Sequence, residues 1–382
     1  MVDFSKDSWK DDFSEDQLEQ ILWGFEDRLA PEQIAVYADT KFGWDQMYQI
    51  RTGFENGLTE KQVAVYADSK FEWNRMNEIR AGFENGLSTE QVAVYADSKF
   101  NYRQMQQIRK GFVAGFTMEQ TALYAKPEFN EKQMREIRKG MENHLTMEQV
   151  ALYADTKFSD LQMTQIRTGF ESGLTEKQIC VYANPEFTEN QMAQIRSGFE
   201  DELSIEQMTL YTNHKYDGSQ MFNIRIGFKH RLSMEQVSFY ATPTFSGEQM
   251  KQIRIGLEEF ILTDKLTLYA KPEFRGYQME QIRRGIEEGL SKEQIKVYAH
   301  SEFTAFQMKE IREGFKNGLT MEQILTYANP EAYGSDKMRN CRKELEENNE
   351  IAAKRRSINE RLDKLEADRK LASVMVKDDI IK

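Results

Sequence analysis

Ten arginines recur at a constant step of 29 residues: Arg51, Arg80, Arg109, Arg138, Arg167, Arg196, Arg225, Arg254, Arg283 and Arg312. A guanidinium presents a planar fork of donors that fits phosphate or carboxylate bidentately, so a stacked column of them could grip a polyanion. The same column could be consumed inside the protein, on helix C-terminal carbonyls or on the acidic residues that recur beside it at Glu26, Glu55, Glu84, Glu142 and Glu171. The recurrence of both partners favours the internal use. A second group is aromatic. Trp44, Trp73 and Tyr102 share one slot in three successive copies, Tyr48 lies a helical turn beyond Trp44, and Tyr277 and Phe306 form a further pair in register. Large aromatics outside a core are enriched at interface hot spots, and contiguous apolar patches mark contact sites. These six are the candidate partner-binding residues. The competing reading has each ring packed on its neighbour as an extension of the core.

Other chemistry finds no support in the spacing of residues. His144, His214, His230 and His300 fall in turns or helix ends of different copies, without an HxxxH or Cys/His pattern, so no metal site is expected. No glycine-rich phosphate loop and no nucleophile elbow occur, and paired acids on helices read as solvated faces. No catalytic residues and no cofactor are expected. There are two cysteines, Cys180 and Cys341, where an oxidised secreted scaffold would be richer. Cys180 stands where most copies have alanine and is expected to be a small buried apolar residue.

The elements that carry these residues are written in the repeat itself. A glycine recurs every 29 residues from Gly24 to Gly314, a tyrosine from Tyr37 to Tyr327 and an isoleucine from Ile21 to Ile311, with no insertion or deletion. A fixed period of this length implies a stacked array in which each unit buries its apolar face against its neighbours. In the copy from Phe42 to Lys70, Gly43 holds a slot filled elsewhere by Ser14, Asn101, Asn130, Ser159, Thr188, Asp217, Ser246 or Thr304, all N-cap residues. Three residues on stands Gln46, replaced only by Arg75 in another copy, which completes a capping box. Phe42 and Met47 form a hydrophobic staple, and Met47, Ile50 and Phe54 lie at helical spacing. Gly57, a glycine in six copies, stops the helix. Thr59, Gln62, Leu58 and Val63 repeat the same grammar for a second helix, whose buried face is Val63, Tyr66 and Ala67. The unit is therefore a helix of about 13 residues, a tight turn, a helix of about eight and a short link. Gly53 sits inside the first helix, where it costs roughly 1 kcal/mol relative to alanine. Its recurrence predicts a close approach that leaves no room for a Cβ, the alternative being backbone approach by a ligand. The tyrosine is expected in the core with its hydroxyl bonded across the seam.

The ends differ from the middle. Residues 1–12 form half a unit with Trp9 in the slot of Ala38 and are expected to cover the first copy. After Ala332, Met338 and Arg342 fill the Met and Arg slots of a twelfth first helix, but Glu344 replaces the glycine and no stop follows. That helix is predicted to start near Ser335 and run on. Ile351, Ile358, Leu365 and Ala372 are spaced by seven, with Asn348, Arg355, Leu362 and Arg369 as the partner positions, a poor coiled-coil seam. The tail either folds back as a cap or dimerises, giving a monomer or a homodimer. The expected organisation is an N-terminal cap at 1–12, an eleven-repeat α-solenoid at 13–332 and a C-terminal helical segment at 333–382, all-α throughout.

The formal net charge is −12. Residues 339–382 hold 12 Lys+Arg and 10 Asp+Glu, so the tail is +2 and the remainder −14. This balance disfavours nonspecific nucleic-acid binding, which needs clustered basic residues, and suits a basic partner or mimicry of a polyanion. The polar, acidic start MVDFSKDSWKDD does not look like a signal peptide, and no apolar stretch is long enough to span a membrane. A cytoplasmic location is expected.

The string QMxQIRxGFExGLTxEQVAVYAxPEF, which covers residues 13 to about 342, resembles a helical repeat of uncharacterised proteins of Gram-positive gut bacteria, their phages and conjugative elements, QMxxIRxGLExGLDVSxYAxPxF. This chain has Phe for Leu after the glycine and a longer link with a Thr/Ser cap before the second helix. The resemblance implies an α-solenoid, a role on a mobile element, and the cytoplasm of a bacterium or of a phage-infected cell, and it transfers no activity. The function expected is a non-catalytic scaffold that binds a macromolecule, foremost a protein. The alternatives are an acidic anti-defence inhibitor that mimics nucleic acid, and a modular nucleic-acid reader.

Overall fold

A computed structural model describes Phe4 and residues 7–380, with side chains for Phe4 and residues 9–369. Among these residues all secondary structure is helical and no strand occurs. Each copy contributes a first helix of 12 residues, such as Trp44–Glu55 or Glu131–Glu142. The second helix is shorter than the expected eight residues, from four at Glu60–Val63 to seven at Met147–Tyr153. In the shorter ones the chain tightens its last turn, with Tyr66 N–H bonded to Val63 O at 3.0 Å, an i to i−3 closure.

Local chemistry accounts for these boundaries. Asn130 accepts from the N–H groups of Lys132 and Gln133, while its own N–H bonds Gln133 Oε1 at 3.0 Å. Thr146 and Gln149 make the same box at the second helix. Gly57 stops the first helix at φ 83°, in the left-handed region. Five copies place Arg28, His144, Glu202, Arg231 or Phe260 in that conformation at φ 58° to 66°, so the turn is imposed there on residues that disfavour it.

The chain forms two compact units, Met1–Glu200 and Asp201–Lys382. Within each, a first helix packs on the first helix of the preceding copy, and a second helix sits between its own first helix and the next one, as Pro31–Tyr37 does between Glu15–Glu26 and Trp44–Glu55. The core is a row of fully buried side chains repeated copy by copy: Met134, Ile137, Val150 and Tyr153 in one, Met163, Ile166, Ile179 and Tyr182 in the next.

The close approach at the recurring glycine comes from the tyrosine of the same copy. A Cβ on Gly53 would overlap the Tyr66 hydroxyl, and ten glycines of this slot meet their tyrosines in this way. The hydroxyl reaches over the glycine to donate to a carbonyl of the first helix, Tyr66 to Gln49 O at 3.3 Å and Tyr240 to Asn223 O at 3.0 Å. Burial pushes these phenols well above their usual range, which keeps them protonated as donors.

At the N-terminal end, Asp7–Asp12 is a 3-10 helix. Trp9 meets Phe4 and Phe13 edge-on at 5.2 and 6.1 Å, and Phe4 meets Phe25 at 5.4 Å. The rest of the expected cap, residues 1–3, 5 and 6, lies outside the described residues. At the other end one helix runs Ser335–Ile380. Its first turns follow the repeat: Met338 is buried, and Arg342 Nε donates to Glu310 Oε2 at 3.0 Å. Asn349 still bonds Gln323, but residues 350–369 are exposed throughout. The tail therefore does not fold back over the last copies. Ala372 lies beyond the described side chains. No described helix is long and apolar enough to cross a membrane.

Candidate partner-binding surface

The recurring polar residues are engaged between copies. Nine arginines of the column reach 31 residues back to a side chain of the preceding first helix. Nε of Arg51 donates to Gln20 at 3.2 Å, of Arg80 to Gln49 at 3.1 Å, of Arg109 to Glu78 at 2.8 Å and of Arg138 to Gln107 at 3.3 Å. Arg167, Arg196, Arg254, Arg283 and Arg312 do the same with Glu136, Gln165, Asn223, Gln252 and Gln281. Their Nη1 atoms turn to acids, to Glu171 and Glu258 one turn on and to Glu288 of the preceding copy. Arg225 pairs with Asp201. Most of the column is buried, down to 4 % exposure at Arg312. Burial pushes the Glu136 carboxyl up, but Arg167 and Lys139 outweigh it and hold the group below its usual range. A signal for this ladder was present in the sequence: the slot before the recurring isoleucine is always Gln, Glu or Asn.

The capping-box glutamine forms a second ladder. Gln104 accepts from Asn101 N–H at 2.8 Å through Oε1, and its Nε2 donates to Phe129 O at 2.7 Å and Pro127 O at 3.1 Å in the next copy. Gln133, Gln162, Gln220, Gln249 and Gln278 repeat the bond to the following Phe carbonyl. A capping box accepts Glu as well as Gln. A neutral amide is required here because one end accepts while the other donates.

What remains on the surface is the variable set. Trp44, Tyr48 and Trp73 are 52 %, 41 % and 48 % exposed. Tyr102 is half-buried, with Arg103 Nε donating to its hydroxyl at 3.0 Å. The Arg51 guanidinium lies 5.2 Å from the Trp23 ring and 5.5 Å from the Tyr48 ring, so Tyr48 is tied to the arginine ladder. Tyr277 and Phe306, each 68 % exposed, line a cleft of about 920 Å³ with Arg275, Glu280, Glu302 and Lys309. In the second unit the Trp44 slot holds Gly218, Gly247, Gly276 and Ala305. A Cβ on Gly247 would stand 2.9 Å from the Ser219 carbonyl carbon, so neighbouring helices close this slot and the aromatics appear one position later. Sequence reasoning missed Phe222, which stacks on Arg225 from the Tyr48 slot, and the exposed Ile205, Phe260 and Leu262 at the turns. Leu262 breaks the Thr/Ser pattern of its cap slot, which was a usable signal, whereas Ile205 stands in a slot that also holds Met118, Met147, Met234 and Met321.

Cys180 is exposed rather than buried. Ile179 takes the inward position, and a helix turns the next residue about 100° away. Lys296 and Leu325 stand exposed in the same slot. His230 pairs with Glu258 at 2.8 Å. Among the described residues no cluster of His, Cys, Asp or Glu could hold a metal ion. No family model matches the chain, and no curated protein or solved structure matches it either.

Proposed function

We propose that this chain is a non-catalytic helical-repeat scaffold that binds a protein partner through variable aromatics at the N-terminal edge of its first helices. The observation that carries this reading is the half-exposed pair Trp44 and Trp73 in one slot of successive copies, with Tyr102 following. The recurring arginines and capping glutamines bond largely inside the array. These rings do not recur through the remaining copies, and they keep large apolar faces in water. The acidic balance of the array suits a partner with a basic rim. The internal bonding of the arginine column counts against a modular nucleic-acid reader, since few of its donors are left for phosphates. An acidic inhibitor of an anti-defence kind, acting in the cytoplasm of a bacterium or a phage-infected cell, is the second reading, favoured by the net charge alone.

The test compares the wild type with a Trp44→Ala, Trp73→Ala, Tyr102→Ala triple variant in pull-downs from the native host, with and without nuclease. A protein held by the wild type, indifferent to nuclease and lost at least about tenfold in the variant is expected. Circular dichroism should show the same helicity in both. Unchanged capture with lowered stability assigns the rings to the core, and nuclease-sensitive capture points to nucleic acid.

A further inference from the structure

The exposed tail carries a pattern that a monomer does not use. From Ile351 to Arg369 every residue is exposed, over about 28 Å of helix. A lone helix of this kind gains nothing from packing, which is where most helical stability in proteins comes from. One side carries Ile351, Arg355, Ile358, Leu362, Leu365 and Arg369 at alternating steps of four and three, the spacing of a heptad seam. The two arginines in that seam decide what can cover it.

In a parallel pair each residue of the seam faces its own copy. Arg355 would meet Arg355 and Arg369 would meet Arg369, like charges in the two layers that should be most apolar. In an antiparallel pair the layers are made from unlike positions. With the two-fold axis at residue 360, Arg355 faces Leu365 of the second copy, Ile358 faces Leu362, and Arg369 faces Ile351. Every layer then holds at least one Ile or Leu, and each arginine lays its aliphatic stem on an apolar partner while its head reaches water. The flanks follow the same axis. Lys354 faces Asp368 of the second copy twice over, and Asn359 faces Asn359 on the dyad. Arg361 beside Arg361 is the one like-charge contact, at a solvated flank.

We infer that residues 351–369 form an antiparallel two-helix coiled coil with a second copy of this chain, centred on residue 360. The match of layers and flanking charges about a single axis selects this occupant. A lipid surface is less suited, because Arg355 and Arg369 interrupt the apolar stripe that would enter it.

Sedimentation equilibrium on the full chain tests this. A reversible dimer is expected, and Ile358→Asp with Leu362→Asp should raise its Kd at least about tenfold while the array, checked by circular dichroism, stays folded. Lys354→Glu and Asp368→Lys should each weaken the dimer, and the two together should restore it. In a parallel pair these positions lie about 21 Å apart along the axis, so no restoration would follow. A chain that stays monomeric to about 100 μM, near the weak end of specific association, overturns the inference. So does a dimer indifferent to the aspartates, or a failure of the double charge variant to recover. A monomer that sediments with vesicles of phosphatidylserine and phosphatidylcholine would make the membrane the occupant instead.

Discussion

At the scale of single residues, this protein shows how one side chain can serve two neighbours. The recurring tyrosine and glycine are one device, because the hydroxyl occupies the volume a Cβ would need. Gly140→Ala is therefore expected to destabilise by about 1–3 kcal/mol through overpacking against Tyr153. Tyr153→Phe alone should cost about 1 kcal/mol, the net worth of the bond to Glu136 O. In the double variant the penalty of the alanine should shrink, and urea denaturation of all four proteins gives the coupling. Additive effects would mean that the glycine answers to something else. The capping glutamine supports a similar contrast. Gln133→Glu keeps the box but removes the donor to Phe158 O, and leaves that buried carbonyl facing a carboxylate. A loss of about 1–3 kcal/mol is expected. Gln149→Glu, in a box bonded only to Thr146 of its own turn, should be near neutral. Equal costs at the two sites would remove the clamp from the account.

At the scale of elements, the short second helices hold together because caps and staples repeat around them, and the turns are where copies depart from the rule. Phe260 is the strongest departure. It is 89 % exposed, lies at φ 58°, and is followed by Leu262 in a slot that holds Thr or Ser as cap in every other copy but the first, which has Ala30. Phe260→Gly should stabilise the protein by about 1 kcal/mol, since glycine adopts this conformation without strain. His144→Gly, at φ 65° in the first unit, should do the same. Thermal melting would show both as upward shifts, and a downward shift at Phe260 would mean that its ring has a packing role. The tail follows the element rule in reverse: Asn348 stands in the slot of the stop glycine, nothing ends the helix there and it continues to Ile380.

At the scale of the whole molecule, neighbouring copies within the first unit repeat the arginine and glutamine ladders at the same separations, so a complete copy is removable. Deleting residues 101–129 joins Phe100 to Asn130 and brings Arg138 to a separation of 31 residues from Glu78, the spacing the ladder uses. The shortened protein is expected to fold with unchanged helicity per residue and a single melting transition. Deleting 101–115 removes only one helix of a copy and sets the ladders out of register. It should lose cooperative unfolding, observed by circular dichroism. If both deletions behave alike, nearest-neighbour stacking does not govern stability here.

The period, the all-helical class, the caps, the left-handed stop at Gly57 and the start of the last helix at Ser335 were legible in the residues alone. Each depends on contacts within a few positions along the chain, where helix geometry makes spacing equivalent to direction. What lay 13 to 31 residues apart was not legible, although its traces were present. The destination of the arginine column, the second bond of the capping glutamine and the hydroxyl that explains the glycine all required helices from different parts of the chain to be set side by side. Cys180 shows the limit most plainly. A small residue in an alanine slot suggested the core, but whether such a slot faces inward depends on which neighbouring helix lies against it, and that only the tertiary structure decides.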